Sequence, residues 1–183
     1  NFNLTNGSQG ITSSVSGNTF SVYGNTMIFL GTSTSAIQNC IVHTSAAATG
    51  YTYRILNNVF YVNRTTSGSK TCVNLASTFN SANTIMNYNM YFITPGTAST
   101  NRIAAIGGVT YTNLQFSNLQ AAGFETNGYY TDSLLRANNI IPQTSIGNNT
   151  GLDLTSLSIP ELTFDYYNVA RTSTPDIGAI QRS

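Results

Sequence analysis

Charge is what this chain has least of. Seven Lys or Arg and six Asp or Glu stand among 183 residues, 7% of the total, against roughly 25% in an ordinary soluble domain. The basic residues are scattered and the net charge is +1. That excludes the clustered positive footprint of a nucleic-acid binder and leaves no Lys/Arg patch for an anionic membrane. Long apolar runs are missing as well, since a stretch such as Met27 to Leu30 falls far short of the ~20 residues that span a bilayer. Asn1 opens the chain with no basic segment or apolar run behind it, so it reads as a mature fragment or an excised module. There is no tryptophan and one histidine, His43. A lone His supports neither a catalytic triad without a Ser or Cys partner in a nucleophile motif nor a zinc site. No phosphate loop, EF-hand loop or calcium-binding nonapeptide occurs. The expectation is a chain with no catalytic residues, no cofactor and no metal.

What is present is polar but uncharged. Asn, Thr and Ser together number 70, beside 40% hydrophobic residues and 20 Tyr plus Phe. Disordered chains combine low hydrophobicity with high charge, so this one folds, as a single domain at this length. Such a Thr/Ser/Asn surface is more familiar outside cells, and an extracellular location is expected on that association.

Three segments repeat one pattern: Val22-Tyr-Gly-Asn25-Thr-Met-Ile-Phe29, Ile55-Leu-Asn-Asn58-Val-Phe-Tyr-Val62 and Met86-Asn-Tyr-Asn89-Met-Tyr-Phe-Ile93. Asn25, Asn58 and Asn89 are 33 and 31 positions apart. A fixed period of this size marks stacked supersecondary units. β-branched and aromatic residues between Gly/Ser/Thr/Asn clusters favour strands, and the period leaves room for about three strands per unit. The fold expected is all-β: a parallel β-helix, or solenoid, in which like positions stack at the ~4.8 Å spacing of neighbouring strands. Asn side chains at tight bends bond the local backbone, and in a stack they can bond one another's amides. Asn25, Asn58 and Asn89 are therefore candidates for a structural ladder.

Residues 1–93 carry the repeating coils and 94–183 the last coils and an irregular C-terminal cap. The cap includes one short helix within Thr110 to Gly123, with Thr112 or Asn113 as N-cap and Leu114, Leu119 and Ala122 on one face. Such a segment is expected to cover open strand edges at the end of the coil.

The closing segment Asp165-Tyr-Tyr-Asn-Val-Ala-Arg171-Thr-Ser-Thr-Pro175-Asp176-Ile177-Gly178-Ala179-Ile180 resembles the end of many bacterial right-handed parallel β-helix proteins. Their last coil reads roughly D-x-x-G-x-x-R, then P-D-I-G-A-aromatic-E. Here Asn168 stands for the Gly, and Ile180-Gln181 for the aromatic and Glu. Gly24-Asn-Thr-Met-Ile-Phe-Leu-Gly-Thr-Ser-Thr-Ser35 and Arg54-Ile-Leu-Asn-Asn-Val-Phe60 resemble coils of very large secreted proteins of the Bacteroidetes. The resemblance implies a right-handed β-helix, export by the type IX secretion system, and service as a surface adhesin or stalk. The same fold carries lyases, hydrolases and spacers, so it does not by itself assign an activity.

Glycan cleavage requires two carboxylates ~5–9.5 Å apart, and the six acids, Glu125, Asp132, Asp153, Glu161, Asp165 and Asp176, all lie in the C-terminal half. Arg171 with Asp165 or Asp176 reads as a structural ion pair. Cys40 lies 15 residues after Asn25 and Cys72 lies 14 after Asn58, equivalent places on successive coils. In-register parallel neighbours sit farther apart than the Cβ spacing of a disulfide. This favours two free, buried thiols over a bridge without excluding one. Asp132-Ser133-Leu134 resembles the O-glycan acceptor of the Bacteroidetes, which makes Ser133 a candidate acceptor beside its plainer reading as a turn. A non-catalytic adhesin or stalk module is the first expectation. Its partners would be surface glycans or other cell-surface proteins, with end-to-end self-association through an uncapped N-terminal coil. The alternative is a glycan-binding or polysaccharide-cleaving module that uses Tyr129, Tyr130, Tyr166 and Tyr167 as platforms.

Overall fold

The computed structural model describes residues 2–4, 9–14, 19–33, 37–66, 68–96, 100–132, 148–157 and 162–180. Among the described residues the fold is all-β with one short helix. In chain order the elements are β1 (Phe2–Leu4), β2 (Gln9–Ser13), β3 (Ser21–Tyr23), β4 (Thr26–Ser33), β5 (Ile37–His43), β6 (Tyr53–Leu56), β7 (Val59–Thr66) and β8 (Ser69–Leu75). Then follow β9 (Thr84–Asn87), β10 (Met90–Thr94), β11 (Asn101–Ile106), β12 (Val109–Thr112), helix α1 (Phe116–Ala121), β13 (Tyr129–Tyr130) and a 3-10 turn at Thr155–Leu157. Three sheets result, in the orders β1-β4-β7-β10-β13, β12-β11-β8-β5-β2 and β3-β6-β9. Between these strands every pairing is parallel except β11 with β12, and one isolated antiparallel bridge joins Phe164 to Ala170. Three successive strands visit the three sheets in turn, and the next three pair with them in register. No helix among the described residues is long and apolar enough to cross a membrane.

Side chains alternate across each strand, so alternate residues of all three sheets meet in one core. Val22, Ile55 and Met86 are register partners along one column, and Met27, Phe60 and Tyr91 along another; all six lie in the main apolar cluster. Because parallel strands are only ~4.8 Å apart, rings in register are brought face to face. Phe60 and Tyr91 stack with centroids 5.0 Å apart and planes 19° from parallel, a geometry worth about 0.5–1.5 kcal/mol beyond area burial.

The corner between third-sheet and first-sheet strands repeats in each unit. Gly24, Asn57 and Tyr88, each directly before one of the repeating Asn residues, have φ of 59°, 59° and 56°. Gly takes this left-handed conformation freely and Asn tolerates it, whereas a bulky Tyr is strained there.

The last unit is closed by β12, which runs antiparallel along the edge of β11, and by Leu119 of α1 with Phe124, both buried in the main core. The helix starts later than expected: Gln115 is its N-cap, without a side-chain capping bond, rather than Thr112 or Asn113. Thr112 belongs to β12, and Leu114 is 77% exposed because the helical register that buries Leu119 begins beyond it.

The closing segment is not laid over the end of the stack, as the expected cap would be. It runs along the outer face of the first sheet. Ile177 packs with Val59, Met90 and the partly buried Tyr129, a cluster separate from the main core. Gly178 N–H donates to the Asn57 carbonyl at 2.7 Å, and Ala179 N–H to Thr26 Oγ1 at 3.1 Å. Outward-facing Val59 and Met90 form an apolar stripe that water would otherwise cover, which explains the lateral docking. Asn168 has φ 62°, a conformation that accounts for an Asn where the resembling motif has Gly.

Two stability predictions follow from these backbone positions. Gly178 has φ 106°, and a Cβ there would sit 2.9 Å from Thr26 Oγ1 and 3.0 Å from Val59 Cγ2. Gly178→Ala is expected to cost about 1–3 kcal/mol, read as a lower denaturant midpoint with earlier proteolysis of the closing segment. Tyr88→Asn is expected to raise stability by about 0.5–1 kcal/mol, by the same measurement.

Candidate functional site

The closing segment crosses the repeating corner of the stack and encloses a cleft of about 240 Å³. Tyr23, Asn25 and Asn57 line it from the corner; Asp153, Phe164, Asp165, Tyr166 and Arg171 line it from the segment. Asn57 fastens one wall as a backbone amide would, donating Nδ2 to the Leu152 carbonyl at 2.7 Å and accepting Leu152 N–H at 2.9 Å. Asp153 Oδ1 accepts Thr155 N–H at 2.9 Å and Thr155 Oγ1–H at 2.6 Å, and these bonds hold its carboxyl below the ordinary value. Asp165 Oδ1 accepts the N–H groups of Tyr167 at 2.9 Å and Val169 at 2.7 Å. Arg171 donates to the carbonyls of Gly178 at 2.9 Å, Asp176 at 3.3 Å and Phe164 at 3.4 Å. Burial lowers its pKa, while the charges of Asp165 and Asp176 raise it. It stays a cation and ties the segment to itself. Two carboxylates and one guanidinium thus face the cleft, each holding its own loop in shape.

The three repeating Asn residues form one column. Asn25 N–H and Nδ2 both donate to Asn58 Oδ1, at 2.9 and 3.2 Å; Asn58 N–H and Nδ2 donate to Asn89 Oδ1, at 2.8 and 2.9 Å. The backbone repeats beside them. The carbonyls of Asn25, Asn58 and Asn89 accept the N–H groups of Val59, Met90 and Tyr129 at 2.7, 2.8 and 2.8 Å. The column ends on Glu125, a residue the repeat did not indicate. Asn89 N–H donates to its Oε2 at 3.1 Å and Asn89 Nδ2 to its Oε1 at 2.6 Å, with Tyr91 O–H on Oε1 at 2.6 Å. The available signal was an acid 36 positions past Asn89, one period on with Glu in place of Asn. Burial pushes the fully enclosed Glu125 carboxyl up to about 7, against the Tyr91 and Asn89 hydrogen bonds that pull it down.

Cys40 and Cys72 lie beside each other on β5 and β8, between the register pairs Asn39–Thr71 and Ile41–Val73. Both are buried and free. Burial first, then the hydrogen bond to Cys40, raises the Cys72 thiol well above its ordinary value, so Cys72 is not a ready thiolate. His43 is buried among Phe20, Tyr53 and Phe79, 5.2–5.9 Å between ring centroids; burial lowers its pKa. Ser133 lies outside the described residues. Tyr129 and Tyr130 are partly buried against the two apolar clusters, while Tyr166 and Tyr167 are exposed. Lys70, passed over in the sequence, is buried and donates Nζ to the carbonyls of Arg64, at 3.0 Å, and Pro95. Among the described residues no three His, Cys, Asp or Glu side chains gather as a metal would need.

Glu125 makes a pH-dependent contribution with a definite sign. Its pKa is raised in the fold, from 4.5 to about 7. Its stabilisation is therefore complete below about pH 4.5 and is lost as pH rises through 7, a change of about 3 kcal/mol. Glu125→Gln preserves the shape and extends the amide column. Relative to this variant, the wild type is expected to gain stability as pH falls from 8 to 5. Comparing chemical denaturation midpoints of the two proteins cancels His43, which acts in the opposite direction.

No protein-family model, curated protein or solved structure matches this chain.

Proposed function

We propose that this chain is a non-catalytic module of a large extracellular or surface protein, folded as a right-handed parallel β-helix and serving as a stalk or adhesin segment. The observation that carries the reading is the unbroken side-chain column Asn25–Asn58–Asn89–Glu125. It links consecutive three-strand units by hydrogen bonds directed from unit to unit. A body whose backbone and side-chain bonds both run along the stacking direction resists bending and local opening, and opening is what proteases require. An almost uncharged Thr/Ser/Asn surface suits the same role. The resemblance of the Gly24–Ser35 and Arg54–Phe60 coils to very large secreted proteins of the Bacteroidetes adds export by type IX secretion, with surface glycans or neighbouring surface proteins as partners.

Antibodies raised against the purified chain are expected to label intact source cells. The purified protein is expected to release no reducing ends from a panel of polysaccharides. Labelling confined to permeabilised cells, or steady release of reducing ends, would overturn the proposal.

A further inference from the structure

The hairpin turn of the closing segment, Phe164 to Ala170, presents apolar side chains to solvent from a backbone that is already satisfied. Phe164 pairs with Ala170 in the antiparallel bridge, and Arg171 N–H donates to the Thr163 carbonyl at 2.8 Å. Phe164, Tyr166, Tyr167 and Val169 are 48%, 62%, 52% and 47% exposed. Among the described residues no other stretch of six holds as many large apolar side chains in the open. Single exposed apolar residues are ordinary, whereas a contiguous group marks an interaction site. The Tyr166 and Tyr167 rings meet edge to face, with centroids 5.3 Å apart. Beneath them every main-chain N–H from Asp165 to Val169 is bonded within the protein. Asp165 N–H donates to the Val169 carbonyl at 2.9 Å, Tyr166 N–H to the Ala179 carbonyl at 2.9 Å and Asn168 N–H to the Asp165 carbonyl at 3.1 Å. Asp165 Oδ1 takes the remaining two, from Tyr167 and Val169.

Size, charge and hydrogen bonding together select the partner. The turn is too small for a stable protein complex, which engages about 20–30 residues a side. Tyr166 to Ala170 includes no charged side chain, and the buried Asp165 carboxylate is directed at the amides of its own turn. Nothing at the tip therefore chooses an anionic or a cationic surface. The bonded N–H groups remove the main penalty for leaving water, because an unpaired backbone donor is costly among lipids. Tyrosine has an apolar body and a polar end, the combination enriched where hydrocarbon meets headgroups. We propose that this turn is a lipid-contact site: Tyr166, Tyr167 and Val169 enter the interfacial layer of an electrically neutral bilayer, with Phe164 at its edge. The tyrosine hydroxyls and Asn168 then lie at headgroup level. The contact is peripheral, spans nothing, and does not depend on the rod-like role proposed above.

The test is flotation of the intact chain with phosphatidylcholine vesicles, and with vesicles in which part of that lipid is replaced by phosphatidylglycerol. One myristoyl chain binds membranes with about 10⁴ M⁻¹. A tip of partly exposed side chains is expected to bind about tenfold more weakly, half of the protein floating at about 1 mM lipid. Both vesicles should serve alike, at low and at high salt. Tyr166→Ser combined with Tyr167→Ser, both at exposed side chains, should weaken flotation by about tenfold with the melting temperature unchanged. The chain has no tryptophan, so Tyr167→Trp supplies a single reporter. This variant should float at least as well as the wild type, its emission moving to shorter wavelength and being quenched by brominated acyl chains. The proposal is overturned if the wild type does not float at about 10 mM lipid, if the double serine variant floats as the wild type does, or if flotation requires phosphatidylglycerol. It is equally overturned if vesicles leave the reporter's emission unmoved, or if the double variant instead abolishes a dimer formed without lipid, which would assign the turn to a second copy of the chain.

Discussion

The carboxamide oxygen of an Asn, accepting two N–H groups from the Asn one unit before it, is the interaction on which the arrangement depends. At each corner the chain leaves one sheet and enters the next, and a corner buried inside a stack leaves main-chain groups with no strand partner. An unpaired buried N–H costs about 1–3 kcal/mol, so it must be satisfied. Asn58 Oδ1 and Asn89 Oδ1 meet this need for the unit on one side, while their Nδ2 groups donate to carbonyls at Val22, Leu56 and Ile55. Once the corners are locked one above another, the strands leaving them have no freedom of register. The pairing of β4 with β7 and of β7 with β10 begins at the residue directly after the Asn.

Two further properties derive from stacking like over like. Rings align with rings, as in Phe60–Tyr91 and Tyr61–Phe92. Charges in register would face like charges at strand spacing, which is destabilising, and the repeating columns carry almost none. A column of amides also needs an end. Glu125 supplies one with two acceptor oxygens and no donor when ionised, and it matches the donors that Asn89 offers. The carboxylate is buried to do this, which is why its proton affinity rises into the neutral range.

The closing segment gives the molecule a feature that the repeat lacks. By docking on the outer stripe of Val59 and Met90 it brings Asp153, Phe164, Tyr166 and Arg171 to the corner that carries Asn25. The motif Pro175-Asp176-Ile177-Gly178-Ala179 can be explained piece by piece. Asp176 is buried and accepts Asn149 N–H at 2.7 Å, Ile177 fills the outer cluster, and Gly178 is where no Cβ fits. A symmetric stack becomes a one-sided object with a cleft.

Much of the local design was legible in the residues. The 33- and 31-residue steps between Asn25, Asn58 and Asn89, the apolar alternation around them and the scarcity of charge are local or periodic signals, and each reflects a constraint repeated in every unit. The equivalent places of Cys40 and Cys72 were readable for the same reason. What only the tertiary structure decided is non-periodic and long-range. Glu125 ends the amide column after a 36-residue step with a change of side chain. Leu114 lies outside the buried helical face, and the closing segment chooses the flank of the first sheet over the end of the stack. Contacts such as Asn57 with Leu152 and Thr26 with Ala179 join residues 95 and 153 positions apart. A repeat announces itself in sequence because the same physics selects the same residue again. A single docking event leaves no second copy to compare, so its partner is known only once both surfaces are folded.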